Sequence, residues 1–132
     1  MPAWGELTGG LRPEEIGKAV KHLRELSGVT PEPEKTPPRW LAADGTVGQR
    51  LFASSCAGCH GRKGEGGEGP ALNNKVLLAN ATDSFLVETI ARGRRGTPMP
   101  AFGEPSAVYP FYSRVEVEAI ATYIRSWAGN KR

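Results

Sequence analysis

Two cysteines and a histidine lie close together in the segment Cys56-Ala57-Gly58-Cys59-His60, and the chain has no other cysteine. Two thiols at this spacing can add to the two vinyl groups of one porphyrin, while the imidazole that follows binds its iron from one face. The segment matches the C-x-x-C-H pattern of covalent c-type haem attachment. It predicts one haem c, bound through both cysteines, with His60 as an axial ligand.

Other interpretations fit the same two cysteines. They could form a redox dithiol, supply half of a zinc site, or serve as two small buried hydrophobic side chains in a helix. A thioredoxin-like dithiol occurs in a βαβ context, which the sequence does not indicate. A structural zinc site needs a second pair of ligands, and the only other histidine is His22. The haem interpretation is therefore favoured.

A six-coordinate haem that transfers electrons needs a second axial ligand, and Met99 is the candidate. Pro98 and Pro100 fix φ on either side of it and keep the segment out of a helix. The thioether can then be presented from an ordered loop. A methionine on an apolar helix face would more often fill the core, so the prolines favour Met99 as an iron ligand.

These motifs, in this order, resemble those of class I cytochromes c, in which His and Met bind the iron from opposite sides. The resemblance covers about residues 44 to 129. It implies an all-α fold, in which a few helices wrap around one covalently bound haem. It also implies that the chain turns at Gly69-Pro70, so that the Pro70 carbonyl accepts a hydrogen bond from the ligand imidazole and fixes the ring.

The first and last helices of that fold can be located in the sequence. Gly48 and Phe52 lie on one face of the helix that precedes Cys56; the resemblance implies that the glycine lets the last helix cross closely. We predict the last helix over 115–127, with Ser113 and Glu116 as its capping box and Gly129 as a left-handed stop. Its apolar stripe comprises Ile120, Tyr123, Ile124 and Trp127.

Between the two ligand motifs we predict a glycine-rich surface loop over 61–72 and a helix over 84–92. The loop contains Gly-x-x-Gly pieces, but it lacks the Lys-Ser/Thr pair and the strand-to-helix context of a phosphate cradle. The helix has Asp83 as its expected N-cap and Gly93 as its end. The side chains expected to cover the haem are Phe85, Leu86, Val87 and Ile90.

An internal repeat indicates material outside the haem domain. The segment 1–6 matches 99–104 except that Trp4 stands in place of Phe102, and an amphipathic helix follows each copy. We therefore predict that residues 1–28 are the end of a preceding cytochrome c domain, 29–43 a proline-rich linker, and 44–132 the haem domain. An unrelated amphipathic helix is the alternative for the first segment, and an SH3-type ligand is a less favoured one for the second.

The predicted N-terminal helix, from about Pro13 to Leu26, is too short to be stable in water alone. Its apolar stripe needs a surface to cover it, either on the haem domain or on another copy of the chain. We therefore expect association through this helix. The stripe comprises Ile16, Val20, Leu23 and Leu26.

Composition and charge agree with a small haem protein. The 132 residues are 39% hydrophobic, which suffices for one modest core. No run of 18 apolar residues predicts a membrane span. Cytochromes of this class receive haem outside the cytoplasm, so we expect a periplasmic or other extracytoplasmic location. The N-terminus lacks the basic and apolar regions of a signal peptide, which indicates a mature chain or one cut from a longer precursor.

The function expected from the resemblance is one-electron transfer between protein partners, without catalysis by this chain. Two alternatives remain: an electron-accepting module of a larger dehydrogenase, oxidase or reductase, and a ligand-binding or peroxidase-like haem protein with a displaceable Met99. The net charge of +3 is a weak guide, because two haem propionates would offset about two units. The basic cluster of Arg92, Arg94 and Arg95 would attract acidic redox partners rather than nucleic acid in an extracytoplasmic compartment.

Overall fold

The computed structural model of the chain describes residues 11–28 and 39–129, and within these ranges it contains helices and no strands. The chain divides into two compact units, Met1–Lys35 and Thr36–Arg132. None of the described helices is long and apolar enough to cross a bilayer. The predicted all-α fold is confirmed. The helices are α1 (Pro13–Ser27), α2 (Gly45–Ser55), α3 (Ala57–His60), α4 (Lys75–Asn80), α5 (Asp83–Arg92) and α6 (Arg114–Ser126).

In the first unit, α1 forms as predicted. Pro13 begins it, and Gly28 ends it with a left-handed φ of 65°. None of its residues is buried, and Leu23 and Leu26 are 63% and 70% exposed. The repeated segment 1–6 and the prolines of the expected linker lie outside the described residues. The assignment of residues 1–28 to a preceding domain therefore stays a prediction.

In the second unit, α2 crosses α6 at Gly48, as the resemblance implied. A Cβ atom added at Gly48 would overlap the backbone carbonyl of Ala119, so only glycine permits this close approach. Phe52, one turn further along α2, is 1% exposed. Its ring meets those of Tyr123 and Trp127 edge-on, at centroid distances of 5.5 and 5.2 Å. The crossing fixes the end of α2, where the cysteine motif begins.

The helix α6 begins as the sequence predicts. The Ser113 hydroxyl accepts a hydrogen bond from the Glu116 amide, and the Glu116 carboxylate accepts one from the Ser113 amide at 2.8 Å. Gly129, beyond the helix end, has the expected left-handed φ of 75°. The side chains of α5 and α6 that share the hydrophobic core are Leu86, Val87, Ile90, Val117, Ile120, Ala121 and Ile124.

The predicted N-cap of α5 is wrong by one residue. Thr82 caps the helix, because its hydroxyl accepts a hydrogen bond from the Phe85 amide at 2.9 Å. Asp83 is instead the first helical residue and is only 1% exposed. A threonine at the cap releases the aspartate for a contact elsewhere in the fold.

The Asp83 carboxylate binds three donors. It accepts hydrogen bonds from the amides of Trp40 and Leu41, at 2.6 and 3.0 Å, and pairs with Arg125 Nε at 2.7 Å. Burial alone would raise the pKa of Asp83, but the two amides and the Arg125 guanidinium outweigh it and lower this pKa below its ordinary value. Asp83 thus joins α5 to α6 and to the segment before α2.

A second arginine, Arg39, joins the segment before α2 to the rest of the fold. Arg39 donates hydrogen bonds to the carbonyls of Ala81, Leu78 and Ala79, at 2.6, 2.9 and 3.0 Å. These carbonyls lie at the end of α4, a short helix that the sequence analysis did not predict. Residues 39–41, which we assigned to the end of the linker, therefore belong to the second compact unit.

Candidate functional site

The cysteine motif forms a tight helical turn at the end of α2. Cys56 lies between α2 and α3 as the C-cap of the first and the N-cap of the second. Its amide donates a hydrogen bond to Phe52 O at 2.9 Å, and its carbonyl accepts one from the His60 amide at 3.0 Å. Cys56 is half-buried and Cys59 is exposed. One turn of helix therefore presents both thiols and the imidazole from a fixed position.

The state of Cys56 bears on the alternative interpretations of the motif. Burial, and next the neighbouring Cys59, raise the pKa of the Cys56 thiol to about 11. A redox dithiol requires a thiolate that forms readily near neutral pH, so this environment does not favour that interpretation. The described residues contain no group of three His, Cys, Asp or Glu side chains arranged to hold a metal ion.

The imidazole of His60 has one ring nitrogen engaged by the backbone. His60 Nδ1 lies 2.9 Å from the Pro70 carbonyl oxygen. Because a carbonyl only accepts, Nδ1 must carry the proton, and Nε2 of the neutral ring keeps its lone pair. An imidazole held in this tautomer, with its ring oriented by a carbonyl, is suited to bind a metal through Nε2. The donor chemistry fits the iron of a haem.

The glycine-rich loop wraps closely around this turn. The amides of Gly66 and Gly69 donate to the carbonyls of His60 and Cys59, both at 2.8 Å. A Cβ atom at Gly69 would come within 2.8 Å of His60 Nδ1 and Cε1. Gly64 has a φ of 71° and lies directly under the Trp127 ring. The loop is ordered as predicted, and its glycines allow the backbone to reach the imidazole.

Met99 lies in an ordered, non-helical loop, as its flanking prolines predicted. Its carbonyl accepts a hydrogen bond from the Arg94 amide at 3.1 Å, and its amide bonds Thr97 Oγ1 at 3.3 Å. The Phe102 amide ties the loop to Ile90 O of α5 at 3.2 Å. Met99 is partly buried, and both it and Cys56 pack against the hydrophobic core cluster. The two predicted ligand segments thus border the same core.

The side chains expected to cover a haem from α5 divide into two groups. Leu86, Val87 and Ile90 are buried in the core cluster. Phe85 is 43% exposed and lies on an open, mainly apolar groove of about 510 Å³. The other residues that line the groove are Val76, Leu77, Asn80, Ala81 and Thr82.

Two residues that organise the site, Tyr112 and Asp83, were not predicted to do so from the sequence. Tyr112 joins the cysteine segment to the methionine loop through its hydroxyl and its backbone, and Asp83 links three elements. The aromatic run Tyr109-Pro110-Phe111-Tyr112, just after the methionine loop, was a usable signal for the first. No local pattern distinguishes a buried aspartate from a capping one, so nothing in the sequence signalled the role of Asp83.

A helix that runs into a cysteine and histidine turn, with a methionine loop on the same core, is the design of a class I c-type cytochrome domain. Such a domain transfers single electrons through haem c. The sequence profile of the family described as "Cytochrome C oxidase, cbb3-type, subunit III" matches residues 43–124, and the chain belongs to this family.

Several curated relatives carry names from the same oxidase. The chain is 31% identical to the cbb3-type cytochrome c oxidase subunit FixP of Bradyrhizobium diazoefficiens, over 99% of the chain and 41% of that protein. It is 29% identical to subunit CcoP of Rhodobacter capsulatus, over 92% of the chain and 39% of the relative. The chain thus spans about two-fifths of the length of these relatives.

A solved structure supports the same fold. The crystal structure of cytochrome cL from Methylophaga aminisulfidivorans is 33% identical, with a TM-score of 0.50, and the similarity covers 62% of this chain and 53% of that one. Haem c electron transfer is therefore the function of the class to which the chain belongs, and the class I cytochrome resemblance is confirmed.

Proposed function

We propose that the chain binds one haem c covalently through Cys56 and Cys59, with His60 and Met99 as the axial ligands of its iron. The observation that carries this proposal is the hydrogen bond from His60 Nδ1 to the Pro70 carbonyl, which leaves Nε2 available on the same helical turn as both thiols. The bound group supplies a ferric/ferrous couple that takes up and releases one electron.

The protein's residues hold this couple in one geometry. Pro70 keeps the imidazole ring in place and maintains its basicity. Met99 would supply a thioether as the second ligand, and a thioether combined with histidine raises the reduction potential. If both residues hold the iron, they would leave no open site for oxygen or peroxide. We therefore propose an electron carrier that is not itself an enzyme.

The relatives suggest the setting in which this carrier works. We propose that the chain is a haem module of a longer polypeptide that passes electrons within a cbb3-type oxidase, with haem attachment and function outside the cytoplasm. A module that accepts electrons for another oxidoreductase is the alternative, and it requires the same site. Its partners would be redox proteins, attracted by the basic cluster where their surfaces are acidic.

The first test is of haem content. Acid-acetone extraction of the purified protein should leave the colour on the polypeptide, and a pyridine haemochrome assay should give one haem per chain. The Cys56→Ala, Cys59→Ala double variant should release its haem on extraction. Extractable haem in the unaltered protein, two haems per chain, or zinc in its place by metal analysis would contradict the proposal.

The second test is of Met99. Met99→Ala should abolish the thioether-to-iron charge-transfer band in the far red of the ferric spectrum and lower the reduction potential. Reduced Met99→Ala should bind carbon monoxide, whereas the unaltered protein should not. Met1→Ala, at the matching position of the repeat, serves as the control and should leave both properties unchanged. Ready carbon monoxide binding by the unaltered protein would favour a ligand-binding or peroxidase-like haem instead.

A further inference from the structure

Tyr112 lies between the two segments that carry the proposed iron ligands. Its hydroxyl is 2.6 Å from the hydroxyl of Ser55, which directly precedes Cys56. Its amide donates a hydrogen bond at 2.7 Å to the carbonyl of Phe102, in the loop that carries Met99. Tyr112 is only 7% exposed. One residue therefore contacts the cysteine segment with its side chain and the methionine loop with its backbone.

The ring of Tyr112 strengthens the second contact. It stacks on the Phe102 ring with a centroid distance of 5.6 Å and an interplanar angle of 20°. Phe102 is itself 5% exposed, so both stacked rings are buried next to the methionine loop. Movement of this loop away from the cysteine segment would have to separate the stacked rings or break the Ser55 hydrogen bond.

The other attachments of the methionine loop lead elsewhere. Phe102 and Gly103 donate backbone hydrogen bonds to Ile90 O and Ala91 O, at 3.2 and 2.9 Å, and so fasten the loop to α5. The hydrogen bond between Tyr112 and Ser55 connects the chain after Met99 to the end of α2. It holds the two sides of the site at a fixed separation.

We infer that Tyr112 is a positioning residue for the Met99 ligand. Its hydroxyl holds the methionine loop against the cysteine segment, and this keeps the thioether at the distance that the iron requires. The inference rests on the proposed function, since it presupposes that His60 and Met99 are the axial ligands. It goes further because it assigns control of Met99 dissociation to Tyr112, a residue that is not itself a proposed ligand.

The physical consequence is a change in an equilibrium. Movement of its loop lets Met99 leave the iron, and a small external ligand such as imidazole can then take its place. A partly buried hydrogen bond that forms only in the closed state disfavours this opening by about three- to ten-fold. Its removal should raise the apparent affinity for the external ligand by the same factor.

The experiment is imidazole titration of the ferric holoprotein, followed through loss of the far-red charge-transfer band. Tyr112→Phe keeps the ring and the backbone hydrogen bond but lacks the hydroxyl, and it should bind imidazole about three- to ten-fold more tightly. Tyr109→Phe is the matched control. Its ring also contacts Phe102, at 6.5 Å, but it is 46% exposed, and its hydroxyl bonds none of the described residues. This variant should match the unaltered protein.

Ser55→Ala removes the other half of the same hydrogen bond and provides a second variant should Tyr112→Phe fail to fold. It should reproduce the effect of Tyr112→Phe, and the double variant should bind imidazole no more tightly than either single one. The positioning role of Tyr112, but not the Met99 ligation, would be overturned if Tyr112→Phe bound imidazole only as tightly as Tyr109→Phe. Additive effects in the double variant would overturn it too.

Failure of the underlying proposal has a different signature. A far-red band absent from the unaltered protein, or one that persists in Met99→Ala, would overturn the Met99 ligation and the inference with it. A band that Met99→Ala abolishes, together with unchanged imidazole affinity in Tyr112→Phe, would leave the ligation intact and reject only the positioning role.

Discussion

The chemistry of this protein is concentrated in a few residues whose geometry depends on very small neighbours. The imidazole of His60 is held between the Pro70 carbonyl and the backbone of Gly69. Because the space beside the ring admits no further atom, Gly69 determines its position as directly as the hydrogen bond does.

Gly69→Ala should therefore displace the His60 ring. The new methyl group would lie 2.8 Å from Nδ1, so the ring must shift and its hydrogen bond to Pro70 must weaken. We expect a changed haem absorption spectrum and a stability lower by about 1–3 kcal/mol, measured by denaturant unfolding of the holoprotein. Gly45→Ala, where the added atom meets only Thr122 Cγ2 at an ordinary 3.7 Å, is the control and should change neither. Equal behaviour of the two variants would refute this account.

A second prediction at this scale concerns pH and Asp83. Its pKa is lowered in the folded protein, so its contribution to stability is present above the ordinary pKa of 3.8 and is lost as the pH falls through the folded value. Asp83→Asn should cost about 3 kcal/mol near neutral pH, the lower end for a broken buried ion pair, because Arg125 keeps its carbonyl partners. Denaturant unfolding from about pH 6 to about pH 2.5 should show the cost shrinking below about pH 4. A cost independent of pH would contradict the assigned charge.

His60 and Asp83 show what a sequence reveals at this scale. The haem attachment proposed for the C-x-x-C-H motif is inferred from five consecutive residues, and the structure adds the orientation of the His60 ring. Asp83 lies at the start of a helix, where a capping role is the ordinary expectation. Its actual partners, Trp40, Leu41 and Arg125, are about forty residues away in either direction, and no local pattern announces them.

Among the contacts between helices, the crossing of α2 and α6 is the most important for the site, because it fixes where the cysteine turn begins. The prediction of this crossing from Gly48 and Phe52 succeeded because the family resemblance supplied the partner helix. The short helix α4 was not predicted. Its six residues are too few for a clear apolar periodicity, and its end is held by Arg39 and Arg125 rather than by its own sequence.

Gly48→Ala should disrupt this crossing. The added Cβ would overlap the Ala119 carbonyl, and two backbones must separate to make room for it. We expect a loss of stability of at least about 1–3 kcal/mol, measured as a lower denaturant midpoint of the holoprotein. Gly45→Ala in the same helix meets only Thr122 Cγ2 at 3.7 Å, an ordinary contact, and should be close to neutral. A neutral Gly48→Ala would show that the helices are less closely packed than described.

Across the whole molecule, the basic cluster near the methionine loop is less uniform than its sequence suggests. Arg92 pairs with Glu88 at 2.9 Å, and Arg94 lies over the Phe85 ring at 5.6 Å. Arg95 forms no ion pair with any of the described residues. The charge presented to a partner therefore depends more on Arg95 than on Arg92, whose field Glu88 offsets.

Arg95→Ala should slow association with a small acidic redox protein more than Arg92→Ala does. Stopped-flow electron transfer at low ionic strength should show a reduction of about two- to five-fold for Arg95→Ala and a smaller one for Arg92→Ala. The difference should vanish at high salt, because exposed charges are then screened. A larger effect of Arg92→Ala, or rates independent of salt, would contradict electrostatic attraction by this cluster.

The boundary of the haem unit provides the last prediction. Two truncations that differ only in residues 39–43 isolate the contribution of this segment. The shorter deletion, residues 1–38, retains the hydrogen bonds of Arg39, Trp40 and Leu41, whereas deletion of residues 1–43 removes them all and leaves Asp83 with Arg125 as its partner.

Loss of two amide donors to a buried carboxylate should make the longer deletion less stable by on the order of 3 kcal/mol. Both should retain the far-red band, because no proposed ligand lies before Cys56. Denaturant unfolding of the two holoproteins measures the difference, and equal stabilities would show that the unit begins after residue 43, as the linker prediction had it.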